Sequence, residues 1–558
     1  MDLGARAHGG RAGPVQESVG HRRGAESTVN LNDPAGALAA LEQAVASGSS
    51  EAIAAAAMTN LWPLYSSHYD LLVQTIEGLP PPVLERYLAL RIVHPMTPLL
   101  ARTHRPFKPL IDPDEARTLS PEEFDFLALA QMLAFRLSGD VAAAVVCAQR
   151  LAERFANVDA EWHQRTDGPL WFARVQIGST YLLAGDSRRA LLEFATAREL
   201  GRHSIQPDAE RFALSRLALA HALRGSLDDA RAALDEASDK PGPTPAHERS
   251  TQATEATAEA LIAVDRMSAD MELRLAGLEP YHSVEMTWPF ALLARARALV
   301  AQHRPSEAIE VAELAQESHA RQHGSIADDI VAAVSIEALL AMGDEVTARR
   351  LAEDRARCGP MTRLAAVRVD LLLGRLDAAT KALRRLAGDS PLGPRLRAEH
   401  VVLSAWLELA HNGRVSHHTA LAIARAASTG DIRRLLASTP RQLVDAVRDR
   451  LGDRSALQFD RSVDGLELRD VPNRSALTES ERRVLYALPL HRTIAELAAR
   501  FHVSPNTIKS QLKSIYRKLG CSTRNEAIEL SALFATNATI ESEPGTSGTA
   551  LASASRSR

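Results

Sequence analysis

Residues Leu477 to Phe534 read LTESERRVLYALPLHRTIAELAARFHVSPNTIKSQLKSIYRKLGCSTRNEAIELSALF. Three Thr-x-x-Glu pairs punctuate this stretch: Thr478 with Glu481, Thr493 with Glu496, and Thr523 with Glu526. In each, the hydroxyl can accept from an orphan N–H of a first helical turn while the carboxylate reaches back to the cap, so each pair predicts a helix start. A fourth start follows from Ser504 and Pro505, because proline's missing N–H costs nothing at the first helical position. Four short helices are therefore expected. In the second, Ile494, Leu497, Ala498 and Phe501 fall on one apolar face. In the third, Ile508, Leu512, Ile515 and Leu519 form the buried stripe. At about 100° per residue, Asn506, Lys509, Ser510, Lys513 and Arg517 gather on the opposite side.

From His502 to Arg524 there are five Lys or Arg and no Asp or Glu. A face of this kind neutralises phosphates, while short polar side chains reach base edges in a major groove wide enough for a helix. A helix, a three-residue turn at His502-Val503-Ser504 and a second helix make helix-turn-helix geometry. These residues resemble the LuxR/GerE-type DNA-binding domain. Its pattern, LTxxExxVL and then EIAxxLxVSxxTVKxHxxxIYxKLGxxxRxEA, aligns without a gap between Leu477 and Ala527. Gln511 stands where that family usually has histidine, and His491 and His502 stand where it often has glycine. The resemblance implies that Thr507 and Lys509 contact the DNA backbone and that the fourth helix, from Thr523, pairs protomers. The expected DNA-binding set is Ser504, Asn506, Thr507, Lys509, Ser510, Lys513 and Arg517, with Asn506 and Ser510 at base edges. Leu497, Ala498, Phe501, Val503, Ile508 and Leu512 are the expected helix-turn-helix core.

Upstream, the composition favours helices. Aromatic residues are only 4% of the 558, whereas Ala, Leu, Arg and Glu are strong helix formers. A length of 558 exceeds one compact core, at roughly 100–200 residues per domain. Net charge is -4, from 65 basic and 69 acidic residues, so affinity for a polyanion has to be local. An alanine beat runs through Ala144, Ala190, Ala230, Ala269, Ala308, Ala348 and Ala379, at intervals of 46, 40, 39, 39, 40 and 31 residues. Glycine turns such as Gly185-Asp186 and Gly225-Ser226 precede it. A recurrence near 40 residues predicts stacked helical hairpins, each burying its apolar face against its neighbours. The motif G-[DSR]-x-x-x-A is similar to tetratricopeptide repeats, with a longer period.

The expected class is all-α: a tetratricopeptide-like helical-hairpin solenoid followed by a four-helix LuxR-type domain. The expected divisions are a disordered N-terminus at 1–30, an irregular helical region at 31–115 broken at Pro80-Pro81-Pro82, and repeats at 116–450 opening near a Ser120/Glu123 capping box. A linker at 451–475, the DNA-binding domain at 476–536 and a disordered tail at 537–558 complete the chain. No phosphate-binding loop G-x-x-x-x-G-K-[ST] occurs, so the chain resembles MalT-like large regulators without their ATPase module.

Three dispersed cysteines, Cys147, Cys358 and Cys521, lack metal or redox spacing, and no signal peptide or membrane-length apolar run is present. A reduced cytoplasmic protein is expected, with no cofactor, metal or membrane partner. His417 and His418, near His411, read as a loop or helix start in place of a metal site. Trp162, Trp171, Phe172 and Tyr181 read as packing between repeats before a ligand groove. The expected function is that of a non-enzymatic transcription regulator. It binds double-stranded DNA as a homodimer, and its repeats sense a small molecule or protein. The alternative is a helical-repeat interaction scaffold whose C-terminal domain dimerises without reading DNA.

Overall fold

The computed structural model describes residues 34–87, 90, 121–156, 169–281, 284, 286–319, 323–355, 358–389, 392–468, 479–519, 521 and 523–528. The expected ends at 1–30 and 537–558, the Ser120/Glu123 cap, Thr478, Trp162, and the side chains of Arg517 and Leu519 lie outside the described residues. Among the described residues the protein is all-α and has no strand; an isolated bridge joins Asp140 and His323.

Five helices come first: α1 (Pro34–Ala46), α2 (Ser50–Thr59), α3 (Leu61–Ser67), α4 (Tyr69–Glu77) and the single turn α5 (Pro81–Leu84). They share a small core built on Leu41, Leu64, Leu72 and Ile76. Helical hairpins follow in order. They are α6 (Pro121–Leu137) with α7 (Val141–Ala156), α8 (Leu170–Leu183) with α9 (Ser187–Arg202), α10 (Ala209–Arg224) with α11 (Leu227–Ser238), and α12 (Glu248–Arg266) with α13 (Met271–Ala276). Then come α14 (Trp288–Ala301) with α15 (Pro305–Ser318), α16 (Ile326–Met342) with α17 (Glu345–Asp354), α18 (Pro360–Leu372) with α19 (Leu376–Asp389), and α20 (Pro394–Asn412) with α21 (His417–Ala427).

Each hairpin turns on one left-handed residue: Gly139, Gly185, Gly225, Met267, His303, Gly343, Gly374 and Gly413, at intervals of 46, 40, 42, 36, 40, 31 and 39 residues. In the first seven the same pair of bonds closes the first helix. At Gly225, for example, its N–H donates to the Ala222 carbonyl at 3.1 Å and the next N–H, of Ser226, donates to His221 at 3.0 Å. This is a Schellman end, which satisfies orphan carbonyls and is easiest for glycine because no Cβ opposes positive φ. The next residue often caps the second helix, as Asp186 accepts from the Arg189 N–H at 3.0 Å and Asp344 from Thr347 at 3.0 Å.

Five residues after the turn, Ala144, Ala190, Ala230, Ala308, Ala348 and Ala379 are buried at the helix crossing. The expected Ala269 is not one of them: it sits exposed in the turn before α13. The position in register with the other alanines is Glu272, five residues after the left-handed Met267. The repeat is thus set by backbone conformation at the turn, which methionine and histidine can adopt at a cost of roughly 1–2 kcal/mol.

The hairpins coil far enough for distant turns to meet. The His323 N–H donates to the Gly139 carbonyl at 2.8 Å, and the Ala142 N–H donates to His323 at 3.1 Å. Gly225 packs directly against Arg395 of α20. Inside this coil Asp265 of α12 is ringed by three arginines, Arg434 at 2.8 Å, Arg395 at 3.4 Å and Arg297 at 3.7 Å, all four buried. Buried Asp329 of α16 caps the next hairpin, accepting from the Met361 and Thr362 N–H groups at 3.1 and 2.8 Å. Trp171, Phe172 and Phe212 pack with His247 and with Trp62 and Tyr65 of α3, so this aromatic group joins the first five helices to the hairpins.

Three short helices end the array: α22 (Arg433–Ala437), α23 (Arg441–Arg448) and α24 (Asp453–Val463). The last falls inside the stretch expected to be a linker. Phe459 is buried in the core shared by α20, α21 and α23, so the polar, aperiodic appearance of 453–468 concealed a packed helix. Residues 469–475 of the expected linker lie outside the described residues. No described helix is long and apolar enough to cross a membrane.

Candidate nucleic-acid interface

The C-terminal segment forms α25 (Glu479–Ala487), α26 (Ile494–Phe501) and α27 (Pro505–Leu519), followed by helical residues 524–528. Local chemistry fixes these boundaries. Thr493 caps α26, its hydroxyl accepting from the Glu496 N–H at 3.2 Å. The Glu496 carboxylate reaches one residue past the cap and accepts from the Arg492 N–H at 2.8 Å. That bond leads the group of contacts that hold the Glu496 carboxyl below its usual range. Ser504 caps α27 through the Thr507 N–H at 3.1 Å. Thr523 and Glu526 make the reciprocal box at the last helix, at 3.3 and 3.4 Å.

The core of this unit is built from Leu497, Ala498, Ile508, Leu512 and Ile515 with Val484, Leu485, Leu488 and Ala527. Phe501 is partly buried against it. Val503, expected in the core, is 37% exposed. The physical reason lies one residue earlier. His502 adopts φ 55°, ψ 41°, closing α26 with the same Schellman pair seen in the hairpins, and this turn points Val503 outward.

Opposite the core, Ser504, Asn506, Thr507, Lys509, Ser510 and Lys513 are all exposed. They lie along one side of α27 with no acid between them. The Thr507 hydroxyl is 2.8 Å from that of Ser504, so these two small groups are tied at the start of the helix. Exposed Arg492 and Arg500 add positive charge on the preceding turn and helix. The helix is locked in place by polar contacts that sequence reading missed. Gln511 donates to the Ser480 hydroxyl at 2.9 Å, and Ser514 donates to the buried Glu481 carboxylate at 2.7 Å. Arg524 donates to the carbonyls of Leu488, at 3.2 Å, and His491. The available signal was angular: 511 and 514 fall on the flank between the apolar stripe and the basic face.

A three-helix unit with one exposed basic helix seated on two others defines a helix-turn-helix nucleic-acid binder. Residues 475–531 match the GerE family, described as bacterial regulatory proteins, luxR family. This segment is a GerE/LuxR-type helix-turn-helix domain, and the helical hairpins upstream lie outside the match. No curated protein matches the chain.

Proposed function

We propose that the chain is a sequence-specific transcription regulator in which α27 enters the major groove. Lys509 and Lys513, with Arg517 and Thr507, anchor phosphates. Ser504 orders the start of the helix, while Asn506 and Ser510 reach base edges. The last helix pairs two protomers, presenting two recognition helices to a two-fold site. The helical hairpins act as the sensing region, responding to a small molecule or a protein. One observation carries this reading: an exposed, acid-free face from Ser504 to Lys513 on a helix whose opposite face is fixed in a core.

The test is Lys509→Ala with Lys513→Ala in the full chain, titrated against a genomic fragment that the wild type retains. Each lost phosphate contact lowers the slope of log K against log salt by about 0.9. A decrease of about 2 per protomer is expected. An unchanged slope and affinity refute DNA reading through this face and favour the interaction-scaffold alternative.

A further inference from the structure

A cavity of about 390 Å³ lies among α12, α14, α16, α18 and α20, closed by α22 and the residues that follow α24. That volume is within the range of small-molecule sites, roughly 300–1,000 Å³. Its apolar lining includes Leu340, Leu372 and Trp406. Three arginines, Arg297, Arg368 and Arg434, and the carboxylates of Glu337 and Glu467 line it as well.

Two of the arginines are already engaged. Arg434 donates through Nε to Asp265 at 2.8 Å. Arg368 donates to the Ser438 hydroxyl at 2.8 Å, to its carbonyl at 3.2 Å and to Glu399 at 3.3 Å. Arg297 differs. It is 4% exposed, and its Nε and Nη1 have no hydrogen-bond acceptor; its nearest carboxylate oxygen, on Asp265, is 3.7 Å away. A buried guanidinium with idle donors carries the desolvation cost of those groups, of order 1–3 kcal/mol each, unless the side chain turns onto an acceptor in the adjoining cavity. The planar fork of arginine matches a carboxylate or phosphate.

We propose that this cavity binds a small organic anion, its carboxylate or phosphate on Arg297 and the adjoining arginines and its apolar body against Leu340 and Trp406. The site gives the sensing role proposed above a place and a ligand class, and it rests on that reading for its purpose but not for its chemistry. The occupant would touch Gly465 and Glu467, a few residues before the segment that leads to the DNA-binding domain.

The probes are 4-phenylbutyrate and phenyl phosphate, each compared with neutral 4-phenylbutanol. They are titrated into the full chain with tryptophan fluorescence and melting temperature as readouts, and Trp406→Phe identifies the fluorescence change that arises in the cavity. At least one anion is expected to bind saturably and raise the melting temperature, with the alcohol at least tenfold weaker. Arg297→Met is expected to weaken the anion at least tenfold. Leu340→Trp, which fills the apolar side and spares the ion cluster, is expected to abolish binding and carries the test if Arg297→Met does not fold. The proposal is overturned if neither anion binds at millimolar concentration, if the alcohol binds as well as the anions, or if both variants bind within twofold of wild type. Because these readouts contain no DNA, failure of the cavity and failure of the DNA reading are separate results.

Discussion

Replacing Asp265 by asparagine removes one negative charge from the centre of the coil and leaves three arginines around a neutral amide. Arg434 lies 2.8 Å from one carboxylate oxygen, Arg395 3.4 Å from the other and Arg297 3.7 Å from the first. Removing one partner of a buried ion pair costs about 3–5 kcal/mol, because the remaining charge is left uncompensated in a poorly solvated site. Asparagine keeps one acceptor of the same shape, so the low end applies. The expected loss is about 3 kcal/mol, roughly a hundredfold in the opening equilibrium. An array of this size need not melt in one step, so the assay is native-state hydrogen exchange, read on the amides of α12, α14, α20 and α22. Protection there should fall about a hundredfold while α1 to α4 keep theirs. Adding Arg434→Met should recover part of the loss, since a well-packed apolar residue replaces a buried charge at little cost. If Asp265→Asn changes protection by less than threefold, Asp265 does not hold the distant turns together.

Three further outcomes follow from the geometry. Gly225 has φ +82° and an added Cβ would lie 2.6 Å from the Arg395 Cβ, whereas Gly413 has φ +66° with open space around it. Gly225→Ala should therefore cost about 2–4 kcal/mol in thermal unfolding, strain plus overpacking, and Gly413→Ala only about 1–2; equal costs would mean the cross-turn contact carries no weight. His502→Gly should stabilise the C-terminal unit by about 0.5–1 kcal/mol by relieving a left-handed non-glycine residue, and a lower melting temperature would contradict this. Burial pushes the Asp208 carboxyl up, but its bonds with His247 and Thr244 outweigh burial and hold it at about 2, below the ordinary 3.8. Its stabilisation is fully present above about 3.8 and is lost as pH falls through about 2. The wild-type melting temperature should thus fall more steeply than that of Asp208→Asn across that interval, and parallel curves would refute the assignment.

In the C-terminal unit, the starts at Thr493, Ser504 and Thr523 and the burial of Ile508, Leu512 and Ile515 were legible because capping and helical spacing act within four residues. Val503 was misplaced because its direction depends on the left-handed turn at His502, a choice between backbone wells that residue type only biases. In the hairpins, alanine was a usable marker at six of the positions followed. It failed at Ala269, where a nearby alanine in an alanine-rich chain kept the count while the turn had moved to Met267. The helix α24 escaped notice for a related reason: a short helix that buries chiefly Ala456 and Phe459 gives too few apolar positions to show a period.

By itself, then, the sequence determined that this protein is helical, that its units recur near 40 residues, and that its C-terminal part holds a helix-turn-helix whose second helix is basic. Those features are set by capping, periodicity and charge, which act over a few residues. Tertiary structure alone decided that the coil closes on itself through Asp265, that Gly225 meets Arg395, and that Arg297 is left with idle donors beside a cavity. These contacts join residues as much as 170 apart, and no local preference encodes them. They exist because successive small rotations between hairpins bring distant turns together.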